Sequence, residues 1–249
     1  MKIDSTLIIG AGGIGSHLAV PLARLLHFHA DGRARLRIVD GDTYEERNLE
    51  RQMFDADEAG HPKAAVLADS IRFALPLLPV GVLDHEIEWE HGYVNSDVDA
   101  ASLMLRCKPA AGQEGALLVC LCVDNDATRR LFYDAMEMAP KGFDIVVLDC
   151  GNDLETSTVV ASFWRDRQCK LTNPVLSYEN LKNPADRVPG GGCQAQAPST
   201  PQLMVANMAA ALSALMLVQA MLDNKPFTDV VLADVRKFSI GIGGGEYGS

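Results

Sequence analysis

Three glycines near the start of the chain, Gly10, Gly12 and Gly15, have the spacing of a loop that binds a nucleotide phosphate. They follow a short apolar strand and open a helix, which is the context that such a loop requires. Gly10 permits a tight turn, Gly12 lets the backbone approach a phosphate, and Gly15 allows close packing of the helix. Alone, these glycines indicate a phosphate site and leave a simple tight turn as the alternative.

Asp40 stands at the end of the second predicted strand, where a carboxylate can accept hydrogen bonds from ribose hydroxyls. The sequence Asp40-Gly41-Asp42 is also typical of a turn at the end of a strand. If the glycine loop and Asp40 stood alone, an NAD-dependent oxidoreductase would be the expected function.

Cationic and amide side chains follow this carboxylate within one short polar stretch. They are Asn48, Arg51, Gln52 and Lys63. Arginine binds phosphate through paired N–H groups and lysine acts as a compact point charge. Together they could neutralise a triphosphate and stabilise the charge that develops on its α-phosphate. Each alone would be a solvated surface residue, but all four follow the second strand, near the place where open parallel sheets bind ligands, and this favours ATP.

The sequence Asp124-Asn125-Asp126 ends the predicted central strand. A carboxylate at this end of the strand faces the same crevice and suits Mg²⁺ held between phosphates. The alternative is a helix cap, because Asp or Asn before Ala127 would accept a hydrogen bond from the next helix. Both can hold, with Asp124 as the metal ligand and Asn125 or Asp126 as the cap.

Composition limits the class of protein. The 249 residues fit one large α/β domain, and a hydrophobic content of 48% is enough for a sizeable core. A net charge of −11 argues against a nucleic-acid surface and permits steering of a basic protein partner. The six cysteines include no C-x-x-C pair, so no zinc site is expected. The lack of a recognisable signal peptide predicts a cytoplasmic protein with reduced thiols.

Apolar strands alternate with helical segments through the first 150 residues, which predicts right-handed crossovers and a doubly wound, Rossmann-like, mostly parallel sheet. The predicted strands are 6–9, 36–39, 80–87, 116–123 and 145–148. The predicted helices are 13–26, 63–74, 97–105 and 127–139. Pro21 predicts a kink or an early break in the first helix.

The last hundred residues change in character, and antiparallel strands are expected there at 157–163, 230–233 and 235–240. Residues 165–200 predict a long loop of the kind that is usually functional. Ser199-Thr200-Pro201 indicates a helix start. The apolar run 203–222 that follows is interpreted as a buried or subunit-interface helix rather than a membrane span. The glycine-rich tail from Gly241 is expected to be loose.

Taken together, these motifs resemble the ThiF/MoeB/HesA superfamily, the adenylating enzymes related to ubiquitin activation. The matching pieces are Gly10-Ala11-Gly12-Gly13-Ile14-Gly15, Val39-Asp40-Gly41-Asp42, Asn48-Leu49-Glu50-Arg51-Gln52, Pro62-Lys63, and Val123-Asp124-Asn125 with Thr128-Arg129. Asn-x-x-Arg-Gln followed by Pro-Lys is far more specific than the glycine loop. The likeness covers roughly residues 5 to 240, and its details are most similar to the ThiF-type protein of the PRTRC plasmid cassette.

The resemblance implies that ATP and the C-terminal carboxylate of a small ubiquitin-like protein ending in glycine form an acyl-adenylate and pyrophosphate. It implies that Asp40 holds the ribose, that Asn48, Arg51 and Lys63 hold the phosphates, and that Asp124 binds Mg²⁺. The other nucleotide contacts that it implies are Gly10, Gly12, Gly13, Gly15, Asp42, Gln52 and Asn125. It also implies a homodimer and one adenylation domain over residues 1–249, with a nucleotide-binding half at 1–150 and a partner-binding half at 151–249.

Cys193 follows three glycines in the long predicted loop. In ThiF-like relatives a cysteine in this place takes part in acyl or sulfur transfer, and a thiolate would attack an activated carboxylate. A loop cysteine without a role is the alternative interpretation.

Two departures from the family pattern bear on activity. Many relatives carry an N-terminal helix whose arginine reaches the partner subunit's ATP, whereas only residues 1–5 precede the first strand here, so that arginine is expected to be missing or supplied from elsewhere. The zinc-binding cysteine pairs of many relatives are absent too. A non-catalytic scaffold that binds a ubiquitin-like protein is therefore an alternative hypothesis, beside the NAD-dependent oxidoreductase.

Overall fold

The computed structural model describes residues 1–29, 35–75, 87–109, 115–139, 141–186 and 203–247. A parallel sheet occupies the first half of the chain, with helices between its strands. Its strands are β1 (Ile3–Ile9), β2 (Arg35–Asp40), β3 (Ile87–His91), β4 (Ala116–Leu121) and β5 (Asp144–Asn152). The helices between them are α1 (Gly13–His29), α2 (Lys63–Ala74), α3 (Asp97–Cys107) and α4 (Asp126–Met138).

The second half extends the same sheet with antiparallel strands. Its elements are β6 (Thr156–Arg165), β7 (Gln168–Cys169), α5 (Pro174–Ser177), α6 (Glu179–Lys182), α7 (Met204–Leu222), β8 (Phe227–Asp234) and β9 (Ser239–Tyr247). The strand order is β3-β2-β1-β4-β5-β6-β8-β9, with β7 paired to β6. The pairs from β3 to β5 are parallel and those from β5 to β9 are antiparallel. The predicted mostly parallel Rossmann-like sheet with added antiparallel strands is confirmed.

The sheet is covered on both faces, which gives two hydrophobic cores. One core packs α1, α2 and α7 against the sheet, and the other packs α3, α4 and α6 against the opposite face. All six residues of β4 are buried, as the continuous apolar run predicts for a central parallel strand. The carboxyl ends of β1, β2 and β4 therefore meet at one edge between the two helical layers.

The predicted break at Pro21 is wrong. Helix α1 continues through this proline to His29. Pro21 is exposed, so the backbone carbonyl that loses its helical partner is on the side of the helix that water reaches. The helix that was predicted to end at residue 26 continues to His29, and residues 30–34 lie outside the described part of the chain.

Two predictions are corrected near the C-terminus, and a third lies mostly outside the described residues. The third parallel strand is Ile87–His91, whereas most of the predicted strand at 80–87 falls in residues 76–86, which lie outside the described part of the chain. Residues 235–238 form the turn between β8 and β9, so the strand predicted at 235–240 is wrong for these four residues and begins at Ser239. The tail from Gly241 is not loose up to Tyr247, because it pairs with β8 as the edge strand β9.

Helix α7 confirms the apolar helix, although its predicted start at 199–201 lies outside the described residues. Its length and mean hydropathy would allow it to cross a membrane, and half of the relevant stretch is buried inside the protein. Its buried side contributes Ala210, Ala214 and Leu217 to the core that also contains α1. This packing agrees with the interpretation of a core helix with one free face.

Candidate functional site

The glycine loop leaves β1 and enters α1 through close backbone contacts. Gly10 has φ of +94°, and a Cβ there would lie 2.8 Å from the carbonyl oxygen of Cys122. A Cβ on Gly15 would lie 2.0 Å from the carbonyl oxygen of Gly10. Both positions therefore require glycine because of the fold itself.

Gly12 and Gly13 differ from these two. A Cβ on Gly12 would meet only the Gln52 side chain, at 3.8 Å, so this face of the loop is open to a ligand. A Cβ on Gly13 would lie 2.6 Å from the side-chain amide of Asn207 on α7. The loop thus has one open side, at Gly12, and one side that receives α7.

The carboxylate of Asp40 is fixed by two backbone amides. Its Oδ2 accepts a hydrogen bond from the Ala11 N–H at 2.6 Å, and its Oδ1 accepts one from the Asp42 N–H at 2.7 Å. Burial raises the pKa of Asp40, and the Lys63 ammonium together with these two amides opposes the rise. Asp40 therefore ties the end of β2 to the glycine loop, and each of its oxygens still has a lone pair to accept a further hydrogen bond.

Lys63 is a buried cation next to this carboxylate. Its side chain is only 8% exposed, and its Nζ lies 3.2 Å from Asp42 Oδ2. The Lys63 N–H also donates to the Asp42 carbonyl oxygen at 3.0 Å, which fixes the first turn of α2 against the end of β2. Tyr93, just after β3, donates its phenolic hydrogen to the same Asp42 carboxylate. Asp42 therefore provides the partner that a buried ammonium requires.

Residues 43–62 fold back onto the glycine loop. Tyr44 is buried, stacks on Phe54 at 4.0 Å, and donates its hydroxyl to the Ala11 carbonyl oxygen at 3.4 Å. Burial raises the pKa of this phenol, so it remains a donor. The Arg51 carbonyl oxygen accepts hydrogen bonds from the His17 ring at 3.3 Å and from Asn207 at 3.5 Å.

The amide side chains of this segment are buried at the loop. Asn48 is 6% exposed, and its side-chain oxygen accepts a hydrogen bond from the Glu45 N–H at 3.1 Å. Gln52 is 5% exposed, and within the described part of the chain its Oε1 has no hydrogen-bond partner. A buried amide oxygen without a partner costs free energy, which indicates a position that a ligand or water completes. The structure thus places Gln52 beside Gly12 and Lys63 beside Asp40. Asn48 and Arg51 belong to the same folded segment, in which the Arg51 carbonyl oxygen faces His17 and Asn207.

Asp124 lies in the exposed turn between β4 and α4. Asn125 is the cap of α4, since its side-chain oxygen accepts from the Thr128 N–H at 2.7 Å. The cap interpretation of Asn125 is therefore confirmed, and its contact with the nucleotide stays a prediction. Asp124 remains at the carboxyl end of the central strand.

Sequence reasoning did not identify Asn207 and Tyr93 as parts of this region. Asn207 is fully buried, touches the loop at Gly13, and accepts a hydrogen bond from Asn152 at 2.9 Å. Its sequence signal was an amide within a mostly apolar helix, where a buried amide requires a polar partner. Tyr93 carried no comparable signal.

Cys193 lies outside the described residues. The other cysteines are free, and all except Cys169 are buried. The described residues contain no group of three or more His, Cys, Asp or Glu side chains that could hold a metal ion.

Comparison with known proteins identifies the family. Residues 2–143 match the model of the ThiF family. The adenylyltransferase and sulfurtransferase MOCS3 of Caenorhabditis briggsae is 33% identical over 135 residues, which is 54% of this chain and 28% of that protein. The ubiquitin-like modifier-activating enzyme 5 of Drosophila melanogaster is 31% identical over 132 residues, which is 52% of this chain and 29% of that protein. The chain thus spans under a third of the length of these curated relatives.

Solved structures share the fold. The E. coli protein MccB, crystallised with ATP, superposes with a TM-score of 0.60 at 17% identity, covering 98% of this chain and 64% of MccB. The protein PaaA superposes with a TM-score of 0.59 at 15% identity, covering 99% of this chain and 65% of PaaA. The antiparallel half of the sheet is therefore a feature of these neighbours too.

Proposed function

The chain belongs to the ThiF family, and we propose that it activates a carboxylate by ATP-dependent adenylation. The observation that carries this proposal is the buried Lys63, held 3.2 Å from Asp42 beside the glycine loop and Asp40. A site for hydride transfer needs no buried ammonium behind its ribose carboxylate. A site that holds a triphosphate needs concentrated positive charge, so this arrangement favours ATP over NAD.

We propose the following roles for these residues in binding ATP. Asp40 accepts from the ribose hydroxyls, the open backbone at Gly12 approaches the phosphates, and the N-terminus of α1 adds its N–H donors. Arg51 and Lys63 neutralise the phosphate chain, and Asn48 donates its side-chain N–H to a phosphate oxygen. A hydroxyl or amino group of the nucleotide donates the missing hydrogen bond to Gln52 Oε1. In-line attack of a carboxylate on the α-phosphate needs alignment and charge neutralisation more than it needs a base.

The residues present fit a magnesium ion that ATP brings with it. Asp124 offers one exposed carboxylate at the carboxyl end of β4. Mg²⁺ commonly binds through one or two carboxylates and completes its octahedron with phosphates and water. When bound, it would supply charge neutralisation between phosphates, and Asp124 would orient it.

The proposed substrate is the C-terminal carboxylate of a small ubiquitin-like protein that ends in glycine. The name of the Drosophila relative supports this class. The similarity to the PRTRC-cassette protein stays a prediction, which a small glycine-ending protein encoded beside this gene would support.

Mass spectrometry tests the proposal. Incubated with Mg²⁺, ATP and this enzyme, the cognate small protein is expected to gain an adenylyl group at its C-terminus.

A thermal-shift comparison tests which nucleotide the protein binds, because a ligand stabilises the state that it binds. ATP is expected to raise the melting temperature, and a rise with NAD alone would contradict the proposed site.

We further propose that Cys193 accepts the activated acyl group. Its thiolate would attack the adenylate carbonyl, so that a thioester bond forms and AMP leaves with the electron pair of the broken acyl–phosphate bond. Mass spectrometry of the enzyme after turnover would show the small protein attached at Cys193. Unchanged product formation by Cys193→Ala would exclude this role.

A homodimer is the proposed assembly. One face of α7 presents Val205, Met208, Leu212 and Met216, each 46% to 53% exposed, and we call these four residues the α7 face. Helix α7 carries no charged residue at all. A contiguous apolar helix face of this kind commonly marks a protein interface. A second copy, packed helix against helix, would bury it.

A further inference from the structure

The turn that carries Asp124 is bound on its solvent-exposed side by a residue that is distant in sequence, Asp186. The carboxylate of Asp186 lies at the N-terminus of α4, where its Oδ2 accepts from the Asp126 N–H at 2.7 Å and its Oδ1 accepts from the Ala127 N–H at 2.8 Å. These two amides have no partner within the helix, and a carboxylate there also interacts favourably with the helix dipole. Asp186 is therefore a second cap of α4, in addition to Asn125.

The segment before Asp186 is fastened to the same helix. Asn180 Nδ2 donates to the Asp126 carboxylate at 2.9 Å. Arg130 Nη1 donates to the carbonyl oxygens of Leu181 and Lys182, each at 3.2 Å. The Leu181 side chain is 3% exposed and joins the core beneath α4. The position of Asp186 is therefore supported by several contacts, because the preceding segment is bound to α4 at several points along α6.

The same turn is held from inside by Arg129. Its Nε and Nη2 donate to the Val123 carbonyl oxygen at 3.1 and 2.7 Å, and Nη2 also donates to the Cys150 carbonyl oxygen at 3.0 Å. The guanidinium lies 3.4 Å from the buried carboxylate of Asp149. Arg129 thus ties together the ends of β4 and β5 at the residue that directly precedes Asp124.

We propose that Asp186 and Arg129 are positioning residues that clamp the turn carrying Asp124, and so fix the carboxylate that orients the metal of ATP. Arg129 holds the peptide before Asp124, and Asp186 holds the amides that follow Asn125. This inference rests on the proposed adenylation reaction, because it assigns a purpose to the fixed position of Asp124.

Asp186 is the residue to change first, because it is exposed and its loss leaves the core intact. In Asp186→Ala, the amide hydrogens of Asp126 and Ala127 are expected to exchange faster in the metal-free protein. The free Mg²⁺ concentration that half-saturates ATP–pyrophosphate exchange is expected to rise about fivefold, the size of a lost helix cap. Asp186→Asn keeps one acceptor oxygen and is expected to recover part of both effects.

Two further variants bracket the result. Asp223→Asn changes an exposed carboxylate at the end of α7, beside the chain N-terminus, and is expected to leave both readouts at the wild-type value. Arg129→Lys keeps the charge beside Asp149 but replaces the planar guanidinium, which reaches the Val123 and Cys150 carbonyls from separate nitrogens, with a single compact ammonium, so it is expected to raise the Mg²⁺ requirement as well.

The outcomes separate the clamp from the reaction. Unchanged amide exchange in Asp186→Ala would show that the contact does not hold the turn, and would overturn the inference. Faster amide exchange with an unchanged Mg²⁺ requirement would show a purely structural cap, and would overturn it too. No pyrophosphate exchange by the wild-type protein, with its cognate partner present, would instead contradict the proposed function, while the amide measurement would still report on the clamp.

Discussion

Gly12 and Gly15 belong to the same loop but face different surroundings. A side chain on Gly15 would run into the carbonyl oxygen of Gly10, whereas one on Gly12 would meet only the end of the Gln52 side chain. The fold therefore requires glycine at position 15, because no rearrangement short of moving backbone removes that clash. At position 12 the fold has room for a methyl group, and only a ligand lying on the backbone would exclude it.

A pair of alanine substitutions distinguishes the steric requirement of the fold at Gly15 from the space that a ligand needs at Gly12. Gly12→Ala is expected to melt at nearly the wild-type temperature and to lose about tenfold or more in ATP affinity, because its methyl group occupies the phosphate approach. Gly15→Ala is expected to lose roughly 1–3 kcal/mol of stability from overpacking. Thermal unfolding and calorimetric titration with ATP measure the two effects. Wild-type ATP affinity in a folded Gly12→Ala protein would place the phosphates elsewhere.

Among the elements, α1 is linked to the segment after β2 through a titratable residue. His17 is partly buried on α1 and lies 3.3 Å from the Arg51 carbonyl oxygen. Burial lowers the pKa of His17 below 6.5. The unfolded chain therefore binds its proton first as the pH falls, so the contribution of His17 to stability is complete above pH 6.5 and declines below it.

The measurement is the fall in melting temperature between about pH 7.5 and pH 5.5, a window that brackets the ordinary histidine pKa. His17→Gln keeps a donor for the Arg51 carbonyl oxygen but has no proton to gain, so its fall should be smaller than that of the wild-type protein. His61→Gln, which removes an exposed imidazole, serves as the control. An equal fall in the wild-type and His17→Gln proteins would contradict the burial of a neutral imidazole.

The α7 face makes a prediction about assembly. Leu212→Glu places a charge in the centre of this face and is expected to shift the protein from dimer to monomer in sedimentation velocity, because a buried unpaired charge is costly. Phe73→Glu changes an equally apolar, 86% exposed side chain on α2 and is the matched control. If the dimer persists in Leu212→Glu but dissociates in Phe73→Glu, the interface lies on the surface around α2 and not on the α7 face.

Elements with strong local sequence signals could be predicted from the sequence, whereas elements that depend on pairing with distant strands could not. Strand β4 and helix α2 were predicted nearly to the residue, because a continuous apolar run and a proline before a helix are strong local signals. Strand β3 alternates at the edge of the sheet and was missed in favour of the more apolar residues before it. Strand β9 is rich in glycine, which strands disfavour, and only its pairing with β8 makes it a strand.

At the scale of the whole molecule, parallel strands place their carboxyl ends at one edge of the sheet. The predicted nucleotide-binding segments that follow β1, β2 and β4 therefore lie near one another. Asp40 and Asp124 lie at such ends, and this much could be predicted from strand order alone. Asn207 and Asp186 could not be predicted as supports of the site. They come from the second half of the chain, and their approach depends on how α7 and α6 pack.

The most direct test of the account is ATP–pyrophosphate exchange by the intact protein with Mg²⁺ and the cognate small protein. The wild-type enzyme is expected to exchange label, because adenylation of a carboxylate is reversible while the adenylate stays bound. Lys63→Ala and Asp124→Ala are expected to lose about a hundredfold or more, the effect of removing charge stabilisation from a transition state. No exchange by the wild-type protein with a partner that binds it, or full exchange by both variants, would contradict adenylation at this site.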